Sequence, residues 1–433
     1  MNKIFGKIFM GDKVIWMIFM FLCIISVIEV YSASSQLTYH GNYAAPVIKH
    51  MGYFFGGLAA MAFTARVPCR YFRATVPFFL LLSVVLLIGV YFFGAINGGY
   101  RWYNIGGVSF QPSEVAKGTL VLVTAQILSA MQTPKGADRK AMSYILYITI
   151  PIAGLIMVEN LSTAVLLCAV IGMMMIIGRI PMAQIGKLLG VIAIILVTVF
   201  SLVMLLGSDE KEEANAKKGT VELVAKDGSG STVQKKNTSV VEKVFHRFSV
   251  WKTRISKFAD RTEVTPDKVD LINDGAQRAH ANIALVTSDI YGKAPGNSVE
   301  CDFLSQAYSD FIYAIIIEEM GIEGALGVAL LYVILLIRTG IIACRCENNF
   351  PAYLAMGLAL MLVTQALFNM CVAVGVLPVT GQPLPLISKG GTSTFINCVY
   401  LGAILSISRT AQKHRSQNNT TTQTPQATVA AAA

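Results

Sequence analysis

Long apolar runs alternate with short polar segments along this chain. A membrane core about 30 Å thick requires roughly 20 apolar residues in helical form. Runs of about this length predict ten membrane-spanning helices, at residues 14–33, 50–65, 75–95, 112–131, 142–158, 161–178, 183–206, 311–337, 353–375 and 391–408. The pattern therefore predicts an all-α polytopic membrane protein, with seven spans in residues 1–206 and three in residues 306–410.

The segment between spans seven and eight, residues 207–305, is polar and predicts a large loop. Its first part, 208–241, is rich in Lys, Glu, Gly, Ser and Thr, which is typical of a flexible insertion. Residues 245–258 mix apolar and basic positions and predict a helix lying on the membrane surface. The Thr, Gln, Asn and Ala bias of residues 411–433 predicts a disordered tail.

Composition and charge support the membrane prediction and add an orientation. The chain is 54% hydrophobic and 14% charged, whereas soluble domains are about 25% charged. Much of the formal net charge of +10 lies in short loops on one side, for example at Arg66, Arg70 and Arg73, and such residues accumulate on the cytoplasmic side. We predict both termini in the cytoplasm and the large loop outside. No basic patch with interleaved aromatic residues remains to indicate nucleic-acid binding.

Charged residues inside membrane segments are costly and usually mark a functional site. In the predicted orientation such residues gather at the outer ends of the spans. They are Arg101, Glu114, Lys117, Glu159, Asp310 and Lys389. This distribution predicts chemistry outside the cytoplasm.

The fourth predicted span begins with a motif that has two interpretations. Pro112, after Gln111, suits the first position of a helix. Glu114 and Lys117 are three residues apart and can pair on one helix face. The pair is either a local ion pair or part of a cationic site, with Arg101, that faces an anionic ligand.

The start of the eighth span also has two interpretations. Ser309 or Asp310 could cap the helix, or Asp310 could act as a general base. A straight helix from Asp310 to Arg338 would be about 42 Å long, so we predict a break near Gly321 or Gly324.

The connection before the tenth span contains too many Pro and Gly residues for a regular helix. It includes Pro383, Pro385, Ser388, Lys389, Gly390 and Gly391. Irregular backbone at membrane depth must be buried in protein or line a wet cavity, and glycine amides can approach an anion. A purely structural re-entrant turn is the alternative. A similar but less specific turn contains Gly296, Asn297 and Ser298.

Together these motifs resemble the family of shape, elongation, division and sporulation (SEDS) proteins, to which FtsW and RodA belong. The resemblance covers nearly the whole chain apart from the insertion and the tail. It is carried by Arg101-Trp102, Gln111-Pro112-Ser113-Glu114, Lys117, Pro295-Gly296-Asn297-Ser298, Ser309-Asp310-Phe311-Ile312, Glu318-Glu319-Met320-Gly321 and residues 378–393. The stretch 303–310 is more similar to the FtsW branch, of the Bacteroidetes type, than to the RodA branch.

The resemblance implies a glycosyltransferase of the bacterial cytoplasmic (inner) membrane that polymerises lipid II into peptidoglycan during septal cell-wall synthesis. Its implied partners are a class B penicillin-binding protein transpeptidase and other divisome membrane proteins. Asp310 occupies the position of the family's essential aspartate. No cofactor is certain, although a divalent cation, Mg²⁺ or Mn²⁺, could assist at the pyrophosphate.

The expected site residues fall into three groups. Asp310 is the expected catalytic base. The expected substrate-binding residues are Arg101, Glu114, Lys117, Gly296, Asn297, Ser298, Ser309, Ser388, Lys389, Gly390 and Gly391. The residues expected to support them are Gln111, Pro112, Glu319, Pro383 and Pro385.

The chain also departs from the family pattern. Glu159 and Asn160 stand where an Asp-containing motif is common, so no role is transferred there. Ala294 and Lys389 stand where Gly and Tyr are usual.

Two other functions remain open from the sequence. A lipid II flippase would need polar groups along the whole transbilayer path, and the inner halves of the spans carry few. A non-catalytic scaffold for division proteins would tolerate replacement of Asp310 and Lys117.

Overall fold

The described part of the chain folds almost entirely into helices. The computed structural model describes residues 10–33, 45–92, 102–105, 108–206, 276–304 and 307–430. The described helices are α1 (Lys13–Ser32), α2 (Ala45–Thr64), α3 (Cys69–Ala74), α4 (Val76–Gly89), α5 (Pro112–Ala130), α6 (Arg139–Glu159), α7 (Leu161–Ile177), α8 (Met182–Leu206), α9 (Ala276–Thr287), α10 (Ile312–Cys344), α11 (Asn349–Ala373) and α12 (Gly391–Ala430). All except α3 and α9 overlap a predicted apolar run.

Several helices are suited to a membrane by length and composition. Among the described residues, five segments are long and apolar enough to cross a bilayer: Lys13–Ser32, Arg139–Val158, Ile312–Cys344, Asn349–Ala373 and Gly391–Gln412. Val76–Gly89, Leu161–Ile177 and Met182–Ile194 are shorter apolar helices. The protein is therefore a helical, polytopic membrane protein.

The chain divides into two compact units. One comprises residues 1–182, 270–376 and 380–433, and it contains all of the helices except α8. The other comprises residues 183–269 and 377–379, and α8 is its described helix.

Helices α2 and α12 pack closely because small residues lie at their contact. A Cβ added at Gly57 would lie 2.7 Å from Cys398 Sγ, and one added at Gly402 would lie 2.7 Å from Met61 O. Small residues at helix interfaces in membranes allow the two backbones to approach. This packing fixes α12, whose N-terminus borders the candidate site.

A short antiparallel hairpin leads into α5. Strands β1 (Tyr103–Ile105) and β2 (Val108–Phe110) pair with Tyr103 opposite Phe110. The Tyr103 hydroxyl donates to Leu86 O of α4 at 2.9 Å. A second hairpin, β3 (Gln132–Thr133) with β4 (Gly136–Ala137), joins α5 to α6. The first hairpin, which periodicity did not indicate, fixes the point where α5 starts.

Helix α10 contains the predicted break, at Gly321, where φ is +70° and ψ is −173°. The turn 288–298 packs against it, and a Cβ added at Gly321 would lie 2.1 Å from Ile290 O. The amides of Lys293 and Ala294 donate to the carbonyls of Glu318 and Glu319, each at 2.9 Å. The turn thus supplies partners to carbonyls next to the break.

Two expectations about helix ends differ from the structure. Neither Ser309 nor Asp310 caps α10, because the N-cap is Phe311 and it makes no side-chain cap hydrogen bond. The last helix continues to Ala430, into the segment whose composition predicted a disordered tail. The predicted insertion 208–241 and surface helix 245–258 lie outside the described residues.

Candidate active site

Asp310 lies in an irregular turn immediately before α10. The Ser309 hydroxyl donates to Asp310 Oδ1 at 3.0 Å. Gly381 has φ +69°, and a Cβ added there would lie 3.4 Å from Asp310 Oδ2. The carboxylate is half-buried, so it combines partial shielding from solvent with an orienting hydrogen bond.

The connection 380–390 runs directly alongside this turn. Ser388 Oγ donates to Ser309 O at 2.6 Å and accepts from the Leu384 amide at 2.7 Å. The Lys389 amide donates to Tyr308 O at 2.9 Å. Both hydrogen bonds of the Ser388 hydroxyl are to backbone groups, so Ser388 holds the connection against the turn that carries Asp310.

Lys389 adds a cation to the connection, and its side chain lies on Tyr308, two residues before Asp310. Its Nζ lies 4.7 Å from the centre of the Tyr308 ring, in a cation–π arrangement. Burial lowers the pKa of Lys389 from its ordinary value, and the positive charge of Lys49 lowers it further. Gly390 and Gly391 follow, and α12 begins at Gly391. A helix N-terminus favours anions, and Lys389 lies two residues before this one along the chain.

Lys117 forms a second buried cation, on α5. Its side chain is fully buried, and Nζ lies 2.8 Å from Glu114 Oε1 and 2.7 Å from Gln365 Oε1. Glu114 is 2% exposed, and its Oε2 has no hydrogen-bond partner within the described ranges. The predicted ion pair is present, and among the described residues the Lys117 ammonium contacts Glu114 and Gln365 with two of its three donors.

Two amides of α11 connect these parts, and the sequence analysis did not identify them. Gln365 Nε2 donates to Pro383 O at 3.0 Å. Asn369 Nδ2 donates to Asp310 O at 2.8 Å and to Gln382 O at 2.7 Å. Their signal was available, because both are strongly polar residues, four apart, inside an otherwise apolar span.

Residues of α7 and α10 complete the support of the connection. Gln382 Nε2 donates to Thr163 Oγ1 of α7 at 2.7 Å. The Tyr332 hydroxyl donates to Pro385 O. Asn160 is one of the residues at which this chain departs from the family pattern. It caps α7 by accepting a hydrogen bond from the Thr163 amide at 3.1 Å.

Three predicted binding residues belong to a different cluster, beside the break in α10. Ser298 Oγ donates to Glu318 Oε2 at 2.6 Å, and Lys293 Nζ lies 2.7 Å from Glu318 Oε1. The Ser298 amide and the Ser32 hydroxyl both donate to Glu319 Oε1. Asn297 is exposed and its amide group donates to Lys293 O at 2.9 Å, and Gly296 is also exposed. In this arrangement Ser298 and Glu319 hold the turn on α10.

The remaining predicted residues are placed as follows. Pro112 is the first residue of α5 and Gln111 is its N-cap. The carbonyls of Pro383 and Pro385 accept the bonds given above, and the ring of Tyr53 lies over Gly391. Arg101 lies outside the described residues.

Chemically, the site offers the Asp310 carboxylate, the Lys389 cation and the buried Lys117–Glu114 pair around an irregular connection. The described part of the chain holds no group of three or more His, Cys, Asp or Glu residues that could bind a metal ion, so no residue is assigned to a divalent cation. A carboxylate can accept a proton, and cations can stabilise charge developing on an anionic leaving group.

Comparison with known proteins begins with one family model. The model for FtsW, RodA and SpoVE, described as "Cell cycle protein", matches residues 12–212 and 232–413.

Curated relatives match over similar lengths. The peptidoglycan glycosyltransferase MrdB of Escherichia coli K12 is 25% identical over 399 residues, which cover 92% of this chain and 93% of the relative. The probable peptidoglycan glycosyltransferase FtsW of Idiomarina loihiensis is 28% identical over 407 residues, which cover 92% and 86%.

Solved structures share the fold. A chain from a peptidoglycan synthase complex that coordinates polymerization and crosslinking superposes with a TM-score of 0.65 at 21% identity, covering 93% of this chain and 98% of that one. The rod shape determining protein RodA of Thermus thermophilus superposes with a TM-score of 0.57 at 20% identity, covering 92% and 97%. At these identities the likeness concerns the fold alone.

Proposed function

This chain belongs to the FtsW, RodA and SpoVE family of cell cycle proteins, and we propose that it is a peptidoglycan glycosyltransferase that polymerises lipid II. Relatives named as peptidoglycan glycosyltransferases match about nine-tenths of the chain. The observation that carries the proposal is the setting of Asp310. Its carboxylate is oriented by Ser309 and lies against a connection that also presents Lys389.

Asp310 is the general base in this proposal. The 4-hydroxyl of the acceptor sugar transfers its proton to the Asp310 carboxylate while its oxygen attacks the anomeric carbon of the donor. The new C–O bond forms as the bond from that carbon to the lipid pyrophosphate breaks, and the pyrophosphate leaves with the electron pair. A single displacement of this kind inverts the anomeric carbon, so an α-linked donor gives a β-linked polymer.

The leaving group carries the charge that the site has to stabilise. Lys389 and the N-terminus of α12 lie together along the chain, and Lys117 is a buried cation on α5. Fixed cations in a shielded site stabilise developing negative charge more effectively than they would in water. We assign this role to Lys117 and Lys389, with Arg101 as a further candidate from the sequence.

The proposal includes a location and partners. Ten helices that coincide with the predicted apolar runs would cross the inner membrane, with both termini in the cytoplasm and Asp310 near the outer face. A class B penicillin-binding protein is the proposed partner, because a fold relative belongs to a synthase complex that couples polymerization with crosslinking. We place the activity in septal synthesis with other divisome proteins, on the FtsW-like motif before Asp310.

The test is polymerisation of labelled lipid II by the purified protein with its candidate transpeptidase and a divalent cation, resolved on a gel. We expect glycan strands from the wild type and none from Asp310→Asn. The matched control is Asp289→Asn, because Asp289 is an exposed aspartate of the turn 288–298, and it should polymerise normally. Equal polymer from wild type and Asp310→Asn would refute the base assignment. No polymer from the wild type, with lipid II crossing liposome bilayers, would instead support a flippase.

A further inference from the structure

We infer that Asn369 of α11 is a positioning residue for the reaction: it acts through Asp310 and sets where the base stands relative to the connection 380–390. The inference rests on the proposed function. Gln365, one turn earlier on the same helix face, does the equivalent for Lys117.

Asn369 bridges the two backbone segments that meet at the site. Its Nδ2 donates to Asp310 O at 2.8 Å and to Gln382 O at 2.7 Å, and the side chain is 1% exposed. One amide group therefore ties the turn that carries the base to the connection, next to Gly381. Gly381 in turn approaches the Asp310 carboxylate.

The orientation of this amide is determined by its partners. Both partners are backbone carbonyls, which only accept hydrogen bonds, so the nitrogen of Asn369 has to face them. Its Oδ1 is then left buried, without a hydrogen-bond partner among the described residues. A group that only filled space would not need two donors in this geometry.

Gln365 repeats the arrangement beside the cation. Its Oε1 accepts from Lys117 Nζ at 2.7 Å and its Nε2 donates to Pro383 O at 3.0 Å. The two amides thus bind the consecutive carbonyls of Gln382 and Pro383. The base, the buried cation and the connection are all held by one face of α11.

Loss of the Asn369 bridge should affect the chemical step more than substrate affinity. Asp310 would keep its carboxylate, but its backbone would lose the bond that fixes it. A misplacement of about 1 Å of a catalytic group can cost about 100-fold in rate. We therefore expect kcat for lipid II polymerisation to fall about 100-fold in Asn369→Ala, with KM within about threefold of the wild type.

The experiment compares Asn369→Ala with Asn369→Asp and Met361→Ala in the complex with the transpeptidase. Asn369→Asp keeps the side-chain volume but can donate at most one hydrogen bond, so it should lose kcat like Asn369→Ala. Met361 is a buried apolar residue of α11 that makes none of these hydrogen bonds, and its truncation should lower the melting temperature without changing kcat. Asn369→Ser has a single hydroxyl proton and cannot bridge both carbonyls, so it should lose kcat as well, which keeps the test decisive if the alanine variant does not fold.

Each result has a distinct meaning. A normal kcat in Asn369→Asp, or a rise in KM with kcat unchanged, would overturn the positioning role. So would an equal loss of kcat in Met361→Ala, because the effect would then be general destabilisation. An inactive wild-type protein would refute the proposed function itself rather than the role of Asn369.

Discussion

Replacement of Lys117 by methionine separates the structural and functional roles of the buried ion pair. Methionine has nearly the shape of lysine without its charge. Lys117→Met therefore leaves Glu114 as a buried carboxylate without its cation, and Gln365 Oε1 without its donor. A second variant, Glu114→Gln with Lys117→Met, removes both charges.

The geometry gives the size of the effect. At the 2.8 Å separation of Lys117 Nζ and Glu114 Oε1, Coulomb attraction at an effective dielectric constant of about 20 is about 6 kcal/mol. Part of this attraction offsets the cost of desolvating the two ions, and breaking a buried pair typically costs about 3–5 kcal/mol. We expect Lys117→Met to lose about that much unfolding free energy. The double variant should come within about 1 kcal/mol of the wild type, because no uncompensated charge remains.

Unfolding by SDS titration in mixed micelles measures stability, and polymerisation of labelled lipid II measures function. Lys140→Met, at an exposed lysine of α6, is the control and should change stability by less than about 0.5 kcal/mol. The double variant should be stable but inactive, since the cation proposed to stabilise the pyrophosphate is gone. A double variant as unstable as Lys117→Met, or one that polymerises normally, would refute the reasoning.

Three other changes test separate features. Burial lowers the pKa of Lys389 in the folded protein, so its charge is lost at a lower pH than that of an ordinary lysine. Between the folded-state and unfolded-state pKa values the unfolded chain binds the extra proton, so the free energy of unfolding rises with pH. Lys389→Arg keeps the charge and should move the alkaline limb of polymerisation to higher pH; an unmoved limb would exclude Lys389 from anion binding. Gly321→Ala should lower the free energy of unfolding by at least about 2 kcal/mol, because φ is +70° and the added Cβ would lie 2.1 Å from Ile290 O. The control is Gly327→Ala, whose Cβ would meet nothing within 4 Å, and it should be neutral or stabilising in the same SDS titration. Glu29 is fully buried, and neither carboxylate oxygen has a partner among the described residues. Glu29→Gln should therefore preserve or raise the unfolding free energy, because glutamine places no charge in this buried position. A large loss of unfolding free energy would show that the ionised form is required.

Much of the fold follows from the sequence because a membrane span is specified by a local property. Continuous apolar residues of the right number predicted the positions of helices such as α1 and α11, and the excessive length of α10 predicted its break. The hairpin of β1 and β2 was not predictable in the same way, since two strands of three residues have no measurable periodicity. The extension of α12 beyond the apolar run also had no hydrophobic signal.

The parts of the candidate site that could be predicted are charged residues at the ends of apolar spans. Asp310, Lys117 and Lys389 were singled out because they are charged groups at span ends. Asn369 and Gln365 carried a polarity signal of the same kind and were missed, but their specific roles also depend on which carbonyls lie opposite them. That information is contained in the packing of α11 against the connection, and sequence spacing alone does not give it.

The break in α10 has a consequence for how the protein is made. The carbonyls of Glu318 and Glu319 are satisfied by amides of Lys293 and Ala294, which precede the helix in the chain. During synthesis the turn 288–298 emerges before α10, so its donors are available when that helix enters the bilayer. We therefore expect formation of the part of α10 before Gly321 to depend on docking of the turn, and a lesion in the turn to appear as a defect of membrane biogenesis, with Asp310 itself intact.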